Sequence, residues 1–251
     1  MVYIPYGAIL EVRMGSTRLP GKSMMDVTGA PLIKRVVDRV KLSKKVNKVI
    51  LATTKNTKDD VLEKFAKEED IDCFRGSEEN VLERVVFAAR KYQVKHIVEL
   101  HGDNPFLDPK IIDSAVELYE TSKCDYVSNT LEKTFPSGVR VQVFPTKELE
   151  KIYNTIDDPA VNEHVSLYFY EHPELYNIVN LKAPPEINRP EIRLTVDTEK
   201  DLKLVRIIYQ KLIEQKKLSG FSTRDVIEVI DRYELKHINI DVSPKPLWRK
   251  N

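Results

Sequence analysis

Ten consecutive residues, Arg13-Met-Gly-Ser-Thr-Arg-Leu-Pro-Gly-Lys22, hold three cations, two hydroxyls and two glycines. That set suits a polyphosphate. Gly15 and Gly21 let backbone N–H groups approach oxygens closely, and Ser16 and Thr17 can donate hydrogen bonds. Arg13, Arg18 and Lys22 offset negative charge, each charge-assisted bond being worth roughly 1.5–3 kcal/mol. A P-loop needs four residues between its glycines and a helix starting at the lysine. Here five residues separate Gly15 from Gly21, and Gly29 and Pro31 interrupt any helix begun at Lys22. A solvated basic turn is the plain alternative, but it does not explain why the cations follow an apolar run. Two carboxylates also stand directly after apolar runs, Asp103 in His101-Gly-Asp-Asn-Pro105 and Asp197 in Arg193-Leu-Thr-Val-Asp-Thr198. Each could cap a helix, or serve Mg²⁺, which typically takes one or two carboxylates and completes its shell with phosphate and water. Asp108, just before Pro109, fits the capping role.

The elements around these residues alternate strand and helix. Strands are expected at Gly7–Val12, Val49–Thr53, Asp72–Phe74, His96–Leu100 and Asp125–Ser128. Helices are expected at Pro31–Val40, Asp59–Glu68, Val81–Tyr92 and Pro109–Tyr119. This β-α-β-α order implies an α/β fold, a mostly parallel sheet flanked by helices. Ligands in such sheets sit beyond the C-terminal strand ends, where the loops after Val12, Leu100 and Ser128 lie. Beyond residue 130 the rhythm changes. Val139, Val141 and Val143 alternate with polar residues, predicting a half-exposed strand. A helix from about Lys147, another over Pro159–Tyr170 and a second alternating run over Leu175–Leu181 complete a ribbon-and-helix insertion near 135–182, placed outside the main sheet as a flap or subunit contact. Arg193–Val196 is expected as a strand and Glu199–Ile213 as a long helix, with a loose tail at about 240–251.

The run Ala8-Ile-Leu-Glu-Val-Arg-Met-Gly-Ser-Thr-Arg-Leu-Pro-Gly-Lys22, followed by Gly29-Ala-Pro-Leu32, closely resembles the opening of the sugar cytidylyltransferases. That family includes the 3-deoxy-manno-octulosonate and acylneuraminate enzymes and the spore-coat polysaccharide F-type proteins, and the last group is the nearest in pattern. The resemblance implies a single Rossmann-like nucleotidyltransferase domain over 1–251. It implies that Arg13, Gly15, Ser16, Arg18 and Lys22 wrap the triphosphate of CTP, and that Lys22, Arg13 and Asp103 are catalytic. The Gly-Asp-x-Pro and Val-Asp-Thr-x-x-Asp-Leu segments resemble those carrying metal-binding aspartates, which assigns Asp103 and Asp197 to Mg²⁺. Phe74-Arg-Gly-Ser-Glu-Glu-Asn80 resembles the nucleoside-holding segment, which places Arg75, Ser77 and Asn80 there; Ser77 and Asn80 are also good cap residues.

Ser128 to Phe144 and Glu163-His-Val165 resemble the acceptor side. One departure stands out: Ser137-Gly-Val-Arg140-Val-Gln142 replaces an expected acidic Asp-Gly-x-Asp-x-Glu pattern. Arg140 could therefore meet an anionic acceptor, or lie on a solvent face. His164 and His172 are possible bases, although a helical histidine is more often structural. The implied activity is transfer of CMP to a sugar-like, anionic acceptor with loss of pyrophosphate, in surface polysaccharide or glycoconjugate synthesis. A sugar-nucleotide glycosyltransferase is the rival enzyme, but no Asp-x-Asp follows a strand. A non-catalytic nucleotide-binding module is the rival without chemistry.

Composition narrows the partners. With 40 basic and 39 acidic residues the net charge is +1, unlike the marked basic excess of nucleic-acid binders. No run reaches the ~18–20 apolar residues of a membrane span, and the first residues carry no charged leader. A cytoplasmic homodimer is expected, with Cys73 and Cys124 as reduced thiols matching no metal spacing.

Overall fold

The computed structural model describes residues 3–243. From residue 244 onward the expected tail lies outside the described residues. In chain order the elements are β1 (Ile4–Glu11), α1 (Leu32–Val40), β2 (Lys48–Thr54), α2 (Asp60–Glu68), β3 (Asp72–Gly76), α3 (Val81–Lys91), β4 (Val94–His101), α4 (Pro109–Ser122) and β5 (Tyr126–Ser128). These match the expected strands and helices to within a few residues. Then come β6 (Gln142–Pro145), α5 (Thr146–Thr155), α6 (Pro159–Glu163), α7 (Leu167–Glu171), β7 (Ile178–Asn180), α8 (Glu199–Glu214) and α9 (Thr223–Arg232).

One seven-stranded sheet runs in the order β3-β2-β1-β4-β6-β5-β7. Its strands are parallel except β6, which is antiparallel to both β4 and β5. Strand alternation divides the apolar residues between two faces. Ala8, Leu10, Val98, Leu100 and Val143 pack with α1, α4, α8 and α9. Ile9, Ile97 and Phe144 pack on the other face with α3, α5, α6 and α7. Side-chain caps set the helix starts. Asn80 accepts from Glu83 N at 2.7 Å, Asp108 from Lys110 N at 3.0 Å, and Thr198 and Asp201 form a capping box at α8.

Three expectations are corrected. The strand around Val143 is not peripheral: β6 lies inside the main sheet, and Val139, Val141 and Val143 are fully buried. Its polar positions avoid solvent: Gln142 is fully buried and accepts from Tyr126 and Ser166, while Arg140 lines the cleft, and alternation alone cannot tell these environments from water. The helix expected over Pro159–Tyr170 breaks at His164–Ser166 into α6 and α7. Arg193–Val196 joins no ladder. It is an extended segment held by Ser137 N to Ile192 O at 2.9 Å, Leu194 N to Ser137 O at 2.7 Å and Val196 N to Asp103 O at 2.9 Å. Gly138 permits that approach: its φ is 108°, and a Cβ there would lie 2.7 Å from the Leu194 carbonyl carbon.

Candidate active site

A cleft of about 600 Å³ opens at the C-terminal ends of β1 and β4. The loop after β1 forms one wall. Buried Asp59 anchors it, accepting from Met14 N at 2.8 Å through one carboxylate oxygen and from Thr53 Oγ1 at 2.9 Å and Thr54 N at 3.1 Å through the other. Gly21 turns the chain at φ 75°, and its N–H donates to Met14 O at 2.9 Å, closing the loop on itself. The residue after the turn is Lys22, only 9 % exposed, so its side chain is directed into the cleft.

Lys22 Nζ donates to Asp103 Oδ2 at 2.8 Å, to Asp197 Oδ1 at 3.0 Å and to Val196 O at 2.6 Å. Three elements remote in sequence thus meet at one ammonium. The other Asp197 oxygen is 2.7 Å from Arg18 Nη2 and 2.7 Å from Arg193 Nη2. Arg193 in turn pairs with buried Asp201 at 3.1 Å. Burial works against the Lys22 charge, but Asp103 and Asp197 outweigh it and hold its pKa above the ordinary lysine value. Burial likewise raises Asp197, and Lys22, Arg193 and Arg18 overcome it, leaving the carboxyl below its usual range. Asp197 is therefore not a helix cap; Thr198 takes that place.

Of the other expected nucleotide residues, Arg13, Ser16 and Arg18 line the cleft with Lys22, whereas Gly15 does not line it and faces Glu78. Arg75, Ser77 and Asn80 do not line it. Arg75 Nη1 is 2.6 Å from Asp60 and 2.9 Å from Glu63, and its Nη2 donates to Asn56 O at 2.8 Å. Ser77 Oγ accepts from Asn80 N at 3.0 Å, so the capping role holds for that turn. On the opposite wall Arg140 and His164 line the cleft, whereas His172 pairs with Glu174 at 2.8 Å outside it.

Sequence reading passes over Glu11, Glu99 and His101. They point from β1 and β4 to the same sheet face at the deep end of the cleft. His101 Nδ1 lies 3.7 Å from Glu11 and its Nε2 lies 3.7 Å from Glu99. Burial pushes Glu99 up to about 7 against the opposing effect of Arg140, and raises Glu11 well above the usual range with Glu99 adding to it. Burial, then Arg140, lowers His101 to about 4, so its ring is neutral. The available signal was a charge inside each apolar strand run, Ala8-Ile-Leu-Glu-Val12 and Ile97-Val-Glu-Leu100. Arg140 opposes the raised values of Glu11 and Glu99 and donates to Gln142 Oε1 at 3.2 Å.

A parallel-sheet cleft with a cationic loop opposite two convergent carboxylates defines a nucleotidyltransferase. The comparisons narrow that class. The cytidylyltransferase family profile matches residues 8–222. The chain is 35 % identical over 218 residues to the spore coat polysaccharide biosynthesis protein SpsF of Bacillus subtilis, covering 84 % of this chain and 89 % of that one. It is 25 % identical over 206 residues to a 3-deoxy-manno-octulosonate cytidylyltransferase of Chloroherpeton thalassium, covering 74 % and 81 %. A solved cytidylyltransferase from Leptospira borgpetersenii superposes with a TM-score of 0.86 at 30 % identity, covering 97 % of this chain and all of that one. The chain belongs to the cytidylyltransferase family. Among the described residues no helix is long and apolar enough to cross a membrane.

Proposed function

We propose that this chain transfers CMP from CTP to a hydroxyl of a sugar-like acceptor, with loss of pyrophosphate, in the synthesis of a surface polysaccharide or glycoconjugate. The observation that carries the reading is the meeting of Lys22, Asp103 and Asp197 at the end of the cationic loop. The acceptor oxygen attacks the α-phosphorus, the bond to the β-phosphate oxygen breaks, and the hydroxyl proton is lost. Arg13, Gly15, Ser16 and Arg18 bind the triphosphate through guanidinium, hydroxyl and backbone N–H donors. Lys22 is placed to move from the carboxylates to the phosphates, where it offsets the charge that develops on the leaving group.

Asp103 and Asp197 suit Mg²⁺. Both carboxylates reach one point, which Lys22 Nζ now fills, and hard oxygen donors are what this ion takes. When bound, Mg²⁺ supplies Lewis-acid charge and a template for the phosphates. Arg193, by holding Asp197, keeps that carboxylate aimed at the cleft. Arg140 and His164 stand on the acceptor side.

Pyrophosphate release from CTP, measured with a panel of acceptors, tests the reading. Lys22→Ala and Asp103→Asn should each lower kcat on the order of 10²–10³-fold, the loss typical of one preorganised electrostatic group. Unchanged circular dichroism would show that the fold survives. Near-normal turnover in both variants would refute the assignment.

A further inference from the structure

We propose that a second ligand site lies in a groove between α1 and the turn joining α8 to α9, that it takes a small phosphate-class dianion, and that its occupancy is felt by the segment carrying Asp103. The groove measures about 500 Å³ and shares no lining residue with the cleft. Arg35, Asp38 and Arg39 line it from α1, Tyr209 from α8, and Lys216 and Phe221 from the turn that follows.

Two of its cations are buried without a counter-charge. Arg35 and Arg39, one helical turn apart, are 9 % and 3 % exposed. Their hydrogen-bond partners are backbone carbonyls rather than carboxylates. Arg35 donates to Val27 O at 3.1 Å and Thr28 O at 2.7 Å, and Arg39 to Leu107 O at 2.9 Å and Phe221 O at 2.6 Å. Each guanidinium also lies over a ring, Arg35 at 5.0 Å from the Tyr209 centroid and Arg39 at 3.8 Å from that of Phe221. Carbonyls and rings solvate a cation but do not neutralise it, and a buried charge is ordinarily paired. Arg39 Nη1 is buried with no hydrogen-bond partner among the described residues. Burial holds the Arg39 pKa below the ordinary arginine value, and Asp108, Tyr209 and Asp225 do not make up the difference. Asp108 and Asp225 are themselves held by Thr223 and Ser222. Asp38 lines the groove, but Lys34 holds its carboxylate at 2.6 Å. Lys216, exposed at the mouth, adds a third cation. A tetrahedral dianion supplies what is missing: two charges, and oxygens that match the guanidinium fork.

The side chains that line the groove also hold the chain beyond β4. Arg39 bridges Leu107 O to Phe221 O, Tyr209 donates to Pro105 O at 2.6 Å, and Phe106 stacks on Tyr209 at 5.0 Å. Pro105, Phe106 and Leu107 continue directly from Asp103. An anion paired with Arg39 fixes that guanidinium in its bridging position, and the bridge in turn steadies the segment. Two distinct sites joined by one shared contact are what an effector requires.

Inorganic phosphate is the probe, titrated by calorimetry. Lys22→Ala weakens the triphosphate loop and isolates the groove. Phosphate should still bind this variant, and should bind about tenfold or more weakly once Lys216→Glu or Arg35→Gln is added, the loss of one charge-assisted contact. Thermal melting checks each chain for folding, and two groove variants guard against one failing to fold. Amide hydrogen exchange over residues 104–107 should slow when phosphate is added to Lys22→Ala, and should not slow in the groove variants. Binding that vanishes with Lys22→Ala yet survives Lys216→Glu and Arg35→Gln in the otherwise wild-type chain puts the anion only at the loop after β1 and overturns the inference. Equal binding of acetate overturns the preference for a dianion. Binding in the groove with unchanged exchange over 104–107 overturns the link to Asp103. CMP transfer stands or falls separately, on pyrophosphate release.

Discussion

At the scale of single residues, the side chains proposed for the chemistry are charged groups held in largely buried surroundings. Lys22 was legible from its place in the cationic loop after β1, and Asp103 and Asp197 because each comes just after an apolar run. Asp59 and Arg193 were not, because their roles depend on partners 45 residues away or on a second buried acid, Asp201. Glu99 gives a test at this scale. Its folded pKa of about 7 exceeds the ordinary 4.5. Below the ordinary value both folded and unfolded chains hold the proton. Between about 4.5 and 7 the unfolded chain releases it first, so stability falls as pH rises, and above about 7 the penalty is complete. Glu99→Gln removes this titration. Its melting temperature should therefore gain on the wild type as pH rises from 4.5 to 7 and keep a constant lead beyond. A lead that does not vary with pH would contradict the raised value.

At the scale of elements, the parallel half of the sheet was readable from periodicity, because both faces of β1, β2 and β4 are covered and the runs are apolar. The antiparallel β6 was misplaced. Arg140 and Gln142 alternate with buried valines, and polar side chains turned into a cleft or into buried hydrogen bonds give the same pattern as ones turned toward water. The split between α6 and α7 also escaped, since the apolar spacing continues through His164. The loop after β1 is an element too, although it has no regular structure. Its form depends on Asp59 holding Met14 N and the end of β2 together. Asp59→Ala should cost about 1–3 kcal/mol of stability, the cost of stranding buried donors. It should also raise the KM for CTP more than it lowers kcat, because the loop's cations lose their placement. Steady-state kinetics would check this, and an unchanged KM would show that the loop holds its form without the anchor.

At the scale of the whole molecule, two apolar layers cover the sheet, and the last helix closes one of them. Asp108 is the joint. Besides capping α4, it accepts from Thr223 N at 2.6 Å and Thr223 Oγ1 at 3.0 Å at the start of α9. Sequence alone showed the cap but not the second duty, and α9 itself went unread. Asp108→Ala should therefore exceed the roughly 1 kcal/mol of an ordinary cap loss. Chemical denaturation should show the deficit while kcat stays near normal; a loss of about 1 kcal/mol or less would mean that α9 docks independently. The sheet order has a wider consequence. The chain leaves β5, passes through β6 and three helices, and returns as β7 beside the strand it left. One uninterrupted excursion thus builds the wall that carries Arg140 and His164, with both its ends stitched to the same strand. Substitutions along that excursion would alter this wall of the cleft and leave the loop after β1, on the far side, with its own anchor at Asp59.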